Sequence, residues 1–127
     1  MGTMVLQRPS QKILNKMQEL DHKEVTENEM IGINVYILRE TKNLTQKKLS
    51  AESGLSISSI SKIERGKRVS DKTINRICDF FGHRNTELNQ KLILDSDETG
   101  INITVRLKKK RKMLDLDREL LGLLGVK

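Results

Sequence analysis

Apolar residues recur three or four positions apart through much of the chain, a spacing typical of helices. One amphipathic helix is predicted over residues 10–20, with Ser10 as its cap. The next should begin at Thr26, because Thr26 and Glu29 have the spacing of a capping box. The apolar positions that define these two helices are Ile13, Leu14, Met17 and Leu20, then Ile31, Val35 and Leu38.

Residues 44–68 predict two short helices joined by a glycine turn. Thr45 can cap the first helix, and Gly54 can adopt the left-handed backbone conformation that ends it. Ser56 can cap the second helix, on which Ile60 and Ile63 share one apolar face. The other side and the N-terminal end then carry Ile57, Ser58, Ser59, Ser61 and Lys62. A helix presented in this way fits the major groove of DNA, which is about 12 Å wide, so the pattern favours a helix-turn-helix.

Further helices near residues 73–82 and 86–93 would complete an all-α domain of about five helices over residues 26–94. Residues 1–25 then form an N-terminal extension that contains the first amphipathic helix. Residues 95–127 form a C-terminal extension, in which the helical pattern is interrupted.

The C-terminal extension has three parts. Residues 101–107 alternate apolar and polar side chains, as a half-buried strand does. That strand needs a partner from this chain or from a second subunit, unless it packs as an extended tail on its own domain. Residues 106–112 form a basic run, which is either a solvated spacer or an added phosphate contact. Residues 113–124 predict an amphipathic helix suited to dimerisation, to docking on its own domain or to binding a partner protein.

The formal net charge of +7 favours a polyanionic partner. The aromatic residues are Tyr36, Phe80 and Phe81, too few for the stacking surfaces that bind single-stranded nucleic acids. The lone cysteine, Cys78, lies in an apolar run and is expected in the core. We expect no metal site, because the two histidines stand apart from other ligand residues.

The residues above resemble the lambda-repressor-like helix-turn-helix family, which includes Cro and the xenobiotic-response-element regulators. The resemblance extends over about residues 30–83. Four segments carry it: IGINVYILRE at 31–40, LTQKKLSAESGLS at 44–56, SISKIERGKR at 59–68 and TINRICDFFG at 73–82. Ser53 departs from the pattern, since the family usually has an apolar residue there.

The resemblance implies roles for individual residues. Arg39 and Glu64 match an internal ion pair that ties the first helix of the domain to the second helix of the motif. With the exposed positions above, it predicts base contacts at Gln46, Ile57, Ser58, Ser61 and Lys62. Ile57 offers no hydrogen bond and would touch a thymine methyl group. Contacts to the DNA backbone are predicted at Thr45, Gln46, Ser56, Ser59, Arg65, Gly66, Lys67 and Arg68.

These features predict a sequence-specific regulator of transcription that binds double-stranded DNA, most simply a repressor that binds a palindromic operator as a homodimer. One alternative is the antitoxin of a toxin–antitoxin pair, with residues 1–25 or 96–127 holding the toxin. Another is a module that uses the same fold to bridge proteins.

An enzyme is not expected. Ser61 and Lys62 are adjacent on a helix and face different directions, so they cannot act as nucleophile and base. The residues after the domain are too few for the self-cleaving peptidase that some repressors carry. We expect no cofactor. No signal peptide or membrane span is expected either, so the protein should be cytoplasmic. The resemblance implies a prokaryotic, phage or plasmid origin.

Overall fold

Six helices and two short strands are present in residues 10–94 and 103–108, the part of the chain that the computed structural model describes. In chain order they are α1 (Gln11–Leu20), β1 (Glu24–Val25), α2 (Glu27–Thr41), α3 (Gln46–Ser53), α4 (Ile57–Glu64), α5 (Asp71–Phe81), α6 (Asn85–Leu88) and β2 (Arg106–Leu107). Helices α2 to α6 confirm the five-helix domain. Residues 1–9, the basic run after Lys108 and the predicted helix 113–124 lie outside the described residues.

Side-chain caps fix where most of these helices begin. The hydroxyls of Ser10, Thr26, Thr45, Ser56 and Ser70 each accept a hydrogen bond from the backbone amide three residues later. At α2 the pair is reciprocal, since the Glu29 carboxylate also accepts from the Thr26 amide at 2.8 Å. These bonds satisfy amides that the first turn of a helix leaves without a partner.

Helix α2 lies at the centre of the fold and is buried on two sides. Ile31 and Val35 enter one core, which we name the first core, together with residues of α3, α4, α5 and α6. Met30, Ile33 and Ile37 enter a second core with Ile13 and Met17 of α1 and Val25 of β1. The predicted stripe of Ile31, Val35 and Leu38 faces the first core, whereas the apolar face toward α1 was not predicted.

The second core joins the two ends of the described chain. β1 pairs in parallel with β2, with Glu24 opposite Arg106 and Val25 opposite Leu107. The Arg106 amide donates to the Lys23 carbonyl at 2.9 Å. Ile103, Val105 and Leu107 pack partly buried on the second core, while the alternate residues are exposed. The predicted alternation is therefore present from Ile103 to Leu107, while residues 101 and 102 lie outside the described residues. The strand itself is only Arg106–Leu107, and it pairs with β1 of the same chain.

The last helix is shorter than predicted, since α6 ends at Leu88 instead of continuing to residue 93. The cause is Asn34 of α2, whose side chain is fully buried. Its amide nitrogen donates to the carbonyls of Leu88 and Lys91, both at 2.8 Å, and its oxygen accepts from the Ile93 amide at 3.0 Å. The Asn34 side chain thus gives these backbone carbonyls and this amide the hydrogen-bond partners that a longer helix would have given them.

Cys78 is buried in the first core, as expected. Burial, followed by the charges of Asp79 and Glu87, raises the pKa of its thiol from 9.0 to about 11. The thiolate is the reactive form of cysteine, so this residue is a core side chain without nucleophilic character near neutral pH.

We expect Asn34→Ala to lower the free energy of unfolding by about 2–3 kcal/mol, because it leaves the buried Leu88 carbonyl, the part-buried Lys91 carbonyl and the Ile93 amide without their partner. Urea unfolding followed by circular dichroism measures the loss. Asn15→Ala is the matched control, since Asn15 is exposed on α1 and accepts one hydrogen bond from Gln11. Equal stabilities of the two variants would contradict the role of Asn34.

Candidate nucleic-acid interface

The turn between α3 and α4 is fixed by short-range hydrogen bonds. Helix α3 ends at Gly54, whose φ of 80° is the left-handed conformation that suits glycine. The Ser50 hydroxyl donates to the Leu55 carbonyl at 2.6 Å. The Ser53 hydroxyl accepts from the Leu55 amide at 3.3 Å. Ser53 is buried, so this bond accounts for a polar side chain at a position where the family prefers an apolar one.

One face of α4 is buried and the other is open. Ile60 and Ile63 have at most 1% of their surface exposed and pack in the first core with Leu49 of α3. On the opposite side, Ile57 is 45% exposed, and no other large hydrophobic side chain in the described part of the chain is classed as exposed. An exposed isoleucine beside polar neighbours suits contact with a ligand, although single exposed apolar side chains are also common on surfaces.

The remaining predicted contacts on α4 differ in how free their side chains are. Ser58 and Lys62 are exposed, while Ser61 is partly buried. Ser56 and Ser59 are engaged at the helix start, where the Ser56 hydroxyl donates to the Ser59 hydroxyl at 2.9 Å and accepts from the Ser59 amide at 3.0 Å. Ile57, Ser58 and Lys62 are therefore the side chains of α4 most available to a partner.

Helices α2 and α4 cross with almost no space between them. A Cβ atom at Gly32 would collide with the Ile63 carbonyl oxygen and would lie 3.1 Å from the Glu64 carbonyl oxygen. Only glycine therefore fits at this point of α2. Sequence reasoning missed this residue, because an isolated glycine in a helical pattern does not reveal which backbone approaches it.

The resemblance implied an ion pair between Arg39 and Glu64, and the two residues do form one. Arg39 donates from Nε to Oε2 of Glu64 at 2.6 Å and from Nη2 to Oε1 at 3.0 Å. Its third nitrogen, Nη1, donates to the Leu44 carbonyl at 2.7 Å. Both charged side chains are less than 10% exposed. Burial alone would lower the pKa of Arg39, but the hydrogen bonds and charge of Glu64 outweigh it and raise the pKa.

Gln46, at the start of α3, joins this ion pair. Its amide nitrogen donates to Oε1 of Glu64 at 3.1 Å, and the side chain is partly buried. The neighbouring cap residue Thr45 is exposed, and its hydroxyl accepts from the Lys48 amide at 3.0 Å. Lys47 and Lys48, which were not predicted as contacts, are both exposed next to Gln46.

The loop after α4 combines a tight turn with exposed cations. Gly66 has a φ of 74° and lies against Glu29, with room for no side chain. The Lys67 amide donates to the Lys62 carbonyl at 2.9 Å, which turns the chain back at the end of α4. Arg65, Lys67 and Arg68 are exposed, although Arg65 also donates from Nε to the Ser61 carbonyl at 3.3 Å. This is the composition of a phosphate-contacting loop.

Residues 35–87 match the family model HTH_3, which describes a helix-turn-helix. This match covers the C-terminal half of α2, all of α3 to α5 and α6 up to Glu87, so residues 35–87 form a helix-turn-helix domain of the lambda-repressor-like type. The family is one of transcriptional regulators, and the chain carries the DNA-binding domain of such a regulator.

The solved structures that are similar to the chain include two of one regulator and one of another. Two are crystal structures of the clp gene regulator ClgR from Corynebacterium glutamicum, both with a TM-score of 0.45. One is 27% identical and covers 51% of this chain and 85% of its own. The other is 22% identical and covers 80% and 92%. A mutant of the restriction-modification controller protein C.Esp1396I is 24% identical, with a TM-score of 0.43 and coverage of 51% and 84%. No curated protein sequence matches significantly.

No group of histidine, cysteine, aspartate and glutamate side chains in residues 10–94 and 103–108 is arranged to hold a metal ion. Within the same ranges, no helix is both long and apolar enough to cross a membrane.

We expect Gly32→Ala to destabilise the fold by about 1–3 kcal/mol, because the added methyl group can be accommodated only if α4 moves away from α2. Gly82→Ala is the control: Gly82 has a φ of 75°, but nothing lies within 4 Å of a Cβ there, so that variant experiences backbone strain without a collision. Thermal unfolding and DNA binding are measured for both. DNA affinity should fall for Gly32→Ala and stay unchanged for Gly82→Ala, and a fully stable, fully binding Gly32→Ala would refute the close crossing.

Proposed function

We propose that this protein is a repressor that binds a palindromic operator in double-stranded DNA as a homodimer. The observation that carries the proposal is the arrangement of α4. Its inner face is fixed by Ile60, Ile63 and the crossing at Gly32, while Ile57, Ser58 and Lys62 are exposed on the outside. A rigid helix with a free polar outer face is what reading of a major groove requires.

Each exposed side chain on α4 has a distinct role in the proposal. Ile57 contacts the methyl group of a thymine, since it can form no hydrogen bond. Ser58 and Lys62 form hydrogen bonds with base edges, and Lys62 favours the acceptors of guanine. Ser61 and Gln46 complete the predicted set of base contacts from more buried positions.

Phosphate contacts surround these residues in the proposed complex. Arg65, Lys67 and Arg68 supply charge at one end of α4, and the Gly66 amide lies among them. Thr45, Gln46, Ser56 and Ser59 supply polar groups at the starts of α3 and α4. Such contacts fix the register of the protein on the duplex without reading its sequence.

In the proposed dimer, the α4 helices of the two subunits are related by a two-fold axis and would enter successive major grooves about 34 Å apart. Half-sites of the operator would then be centred about one helical turn from each other. A dimer bound in this way close to a promoter would exclude RNA polymerase, which is the proposed mechanism of repression.

The proposal is tested by selecting random duplex oligonucleotides with the purified protein at about 150 mM salt, where non-specific phosphate binding is weak. A two-fold symmetric motif with half-sites about ten base pairs apart is the expected result. Failure to enrich any motif would contradict the proposal and would favour a protein-bridging module. Recovery of a single half-site would contradict the dimer alone.

We expect Lys62→Ala to weaken binding of the selected operator by about 10- to 100-fold while binding of random duplex hardly changes. Lys67→Ala is the matched variant, because Lys67 is an exposed lysine in the proposed phosphate-contacting loop. It should weaken both duplexes alike and reduce the slope of log affinity against log salt by about one. Titrations at several salt concentrations measure both effects, and equal losses on both duplexes for Lys62→Ala would exclude it as a base contact.

A further inference from the structure

Tyr36 lies between the N-terminal helix and the ion pair that holds α4. Its ring centroid is 5.4 Å from the guanidinium carbon of Arg39 and 5.9 Å from Nζ of Lys16 in α1. A cation near an aromatic ring at these distances is attracted by the negative face of the ring. Tyr36 therefore contacts a cation of α1 and the buried cation of the ion pair.

This contact is separate from the two cores. Tyr36 belongs to neither the first nor the second core, and its side chain is only partly buried. Helix α1 is itself anchored by Ile13 and Met17, which are almost fully buried in the second core. Lys16 is thus presented to Tyr36 by a firmly packed helix that lies outside the matched segment, residues 35–87.

Two carboxylates lie near the Arg39 guanidinium, so the Tyr36 ring beside it can affect which of them Arg39 binds. Two carboxylates compete for it: Glu64 at 2.6 Å and Glu40, whose Oε2 is 3.5 Å from Nη1. Rotation toward Glu40 would break the two parallel hydrogen bonds to Glu64. A ring beside the guanidinium restricts that rotation, because a planar cation packs well on an aromatic face.

Burial, then the charge of Glu40, raises the pKa of the Tyr36 phenol, with smaller effects in the same direction from Glu64 and Glu19 and an opposing effect from Arg39. The phenol is therefore neutral wherever the protein is folded near neutral pH. Its ring, rather than an ionised oxygen, is what faces Lys16 and Arg39.

We propose that Tyr36, supported by Lys16, is a positioning residue that holds Arg39 on Glu64 and thereby orients Gln46 and α4 for DNA. The inference rests on the proposed function, since it concerns how the same site is kept in its binding geometry. It makes α1 a part of the DNA-binding site without any contact between α1 and DNA. The N-terminal extension then has a functional role distinct from dimerisation or partner binding.

The test compares Tyr36→Phe, which keeps the ring, with Tyr36→Leu, which keeps apolar volume without a ring face. Tyr36→Leu should bind the selected operator about 3- to 10-fold more weakly, as expected for loss of a cation–π contact, while random duplex is bound equally well. Tyr36→Phe should bind both duplexes as the wild-type protein does. Unfolding in urea is measured in parallel, so that affinities are compared only between folded proteins.

Lys16→Met and Lys12→Met form the second pair of variants. Both remove a lysine charge from α1, but Lys12 is exposed one turn earlier, and within the described residues the cations placed over the Tyr36 ring are Lys16 and Arg39. Lys16→Met should weaken operator binding by about 2-fold, and Lys12→Met should have no effect. Equal losses for the two would mean that α1 acts through its general charge, and no loss for either would mean that Lys16 does not support Tyr36. Either result would overturn the proposal.

The proposal can also be tested without DNA, by following the Nε–H signal of Arg39 in NMR spectra. That proton should exchange slowly with water in the wild-type protein and in Tyr36→Phe, and measurably faster in Tyr36→Leu. Unchanged exchange in a folded Tyr36→Leu would refute the positioning role, whatever the DNA experiments give. If the wild-type protein selects no operator while exchange follows the expected order, the proposed function fails and the positioning of Arg39 remains established.

Discussion

The fold depends on the close crossing of α2 and α4 at Gly32. Because the backbone of α4 touches α2 there, Ile60 and Ile63 reach the first core and the end of α4 comes within reach of Arg39. The buried ion pair then fixes the position of α4 along α2. Buried ion pairs add little net stability, since desolvation offsets their attraction, but here two directional hydrogen bonds hold Glu64 at Arg39. The fixed position of α4 on α2 matters because α4 is the helix whose outer face is exposed.

Helix α2 also connects this geometry to the rest of the chain. Its second apolar face packs against α1, β1 and the segment around β2, so the N-terminal and C-terminal segments form one core on the side opposite the first. Hydrogen bonds from the Asn34 side chain also connect the middle of α2 to residues 88–93. A helix buried on both sides transmits strain, because close-packed interiors have little room to relax. Helix α2 is the helix that both cores share.

The charges divide into two groups by their surroundings. Arg39, Glu64 and the amide of Gln46 are hydrogen-bonded to one another, and the two charged side chains are buried. Lys62, Lys67 and Arg68 are exposed and keep their charge available to an anion. The first group therefore shapes the surface, and the second group can bind an anion at it. The net charge alone does not distinguish the two groups.

Local chemistry in the sequence was sufficient to locate the caps at Ser10, Thr26, Thr45 and Ser56, the turn at Gly54 and the inward face of α4. Each of these depends on neighbours within four residues. Arg39 and Glu64 were paired only through the resemblance, since 25 positions separate them. The tertiary structure alone decided the other features. These are the collision that excludes a side chain at Gly32, the hydrogen bonds of Asn34 that end α6 early, the position of Tyr36 beside Arg39 and the pairing of β1 with β2. These features arise from segments that are distant along the chain, and a periodic pattern indicates which face is buried but not what covers it.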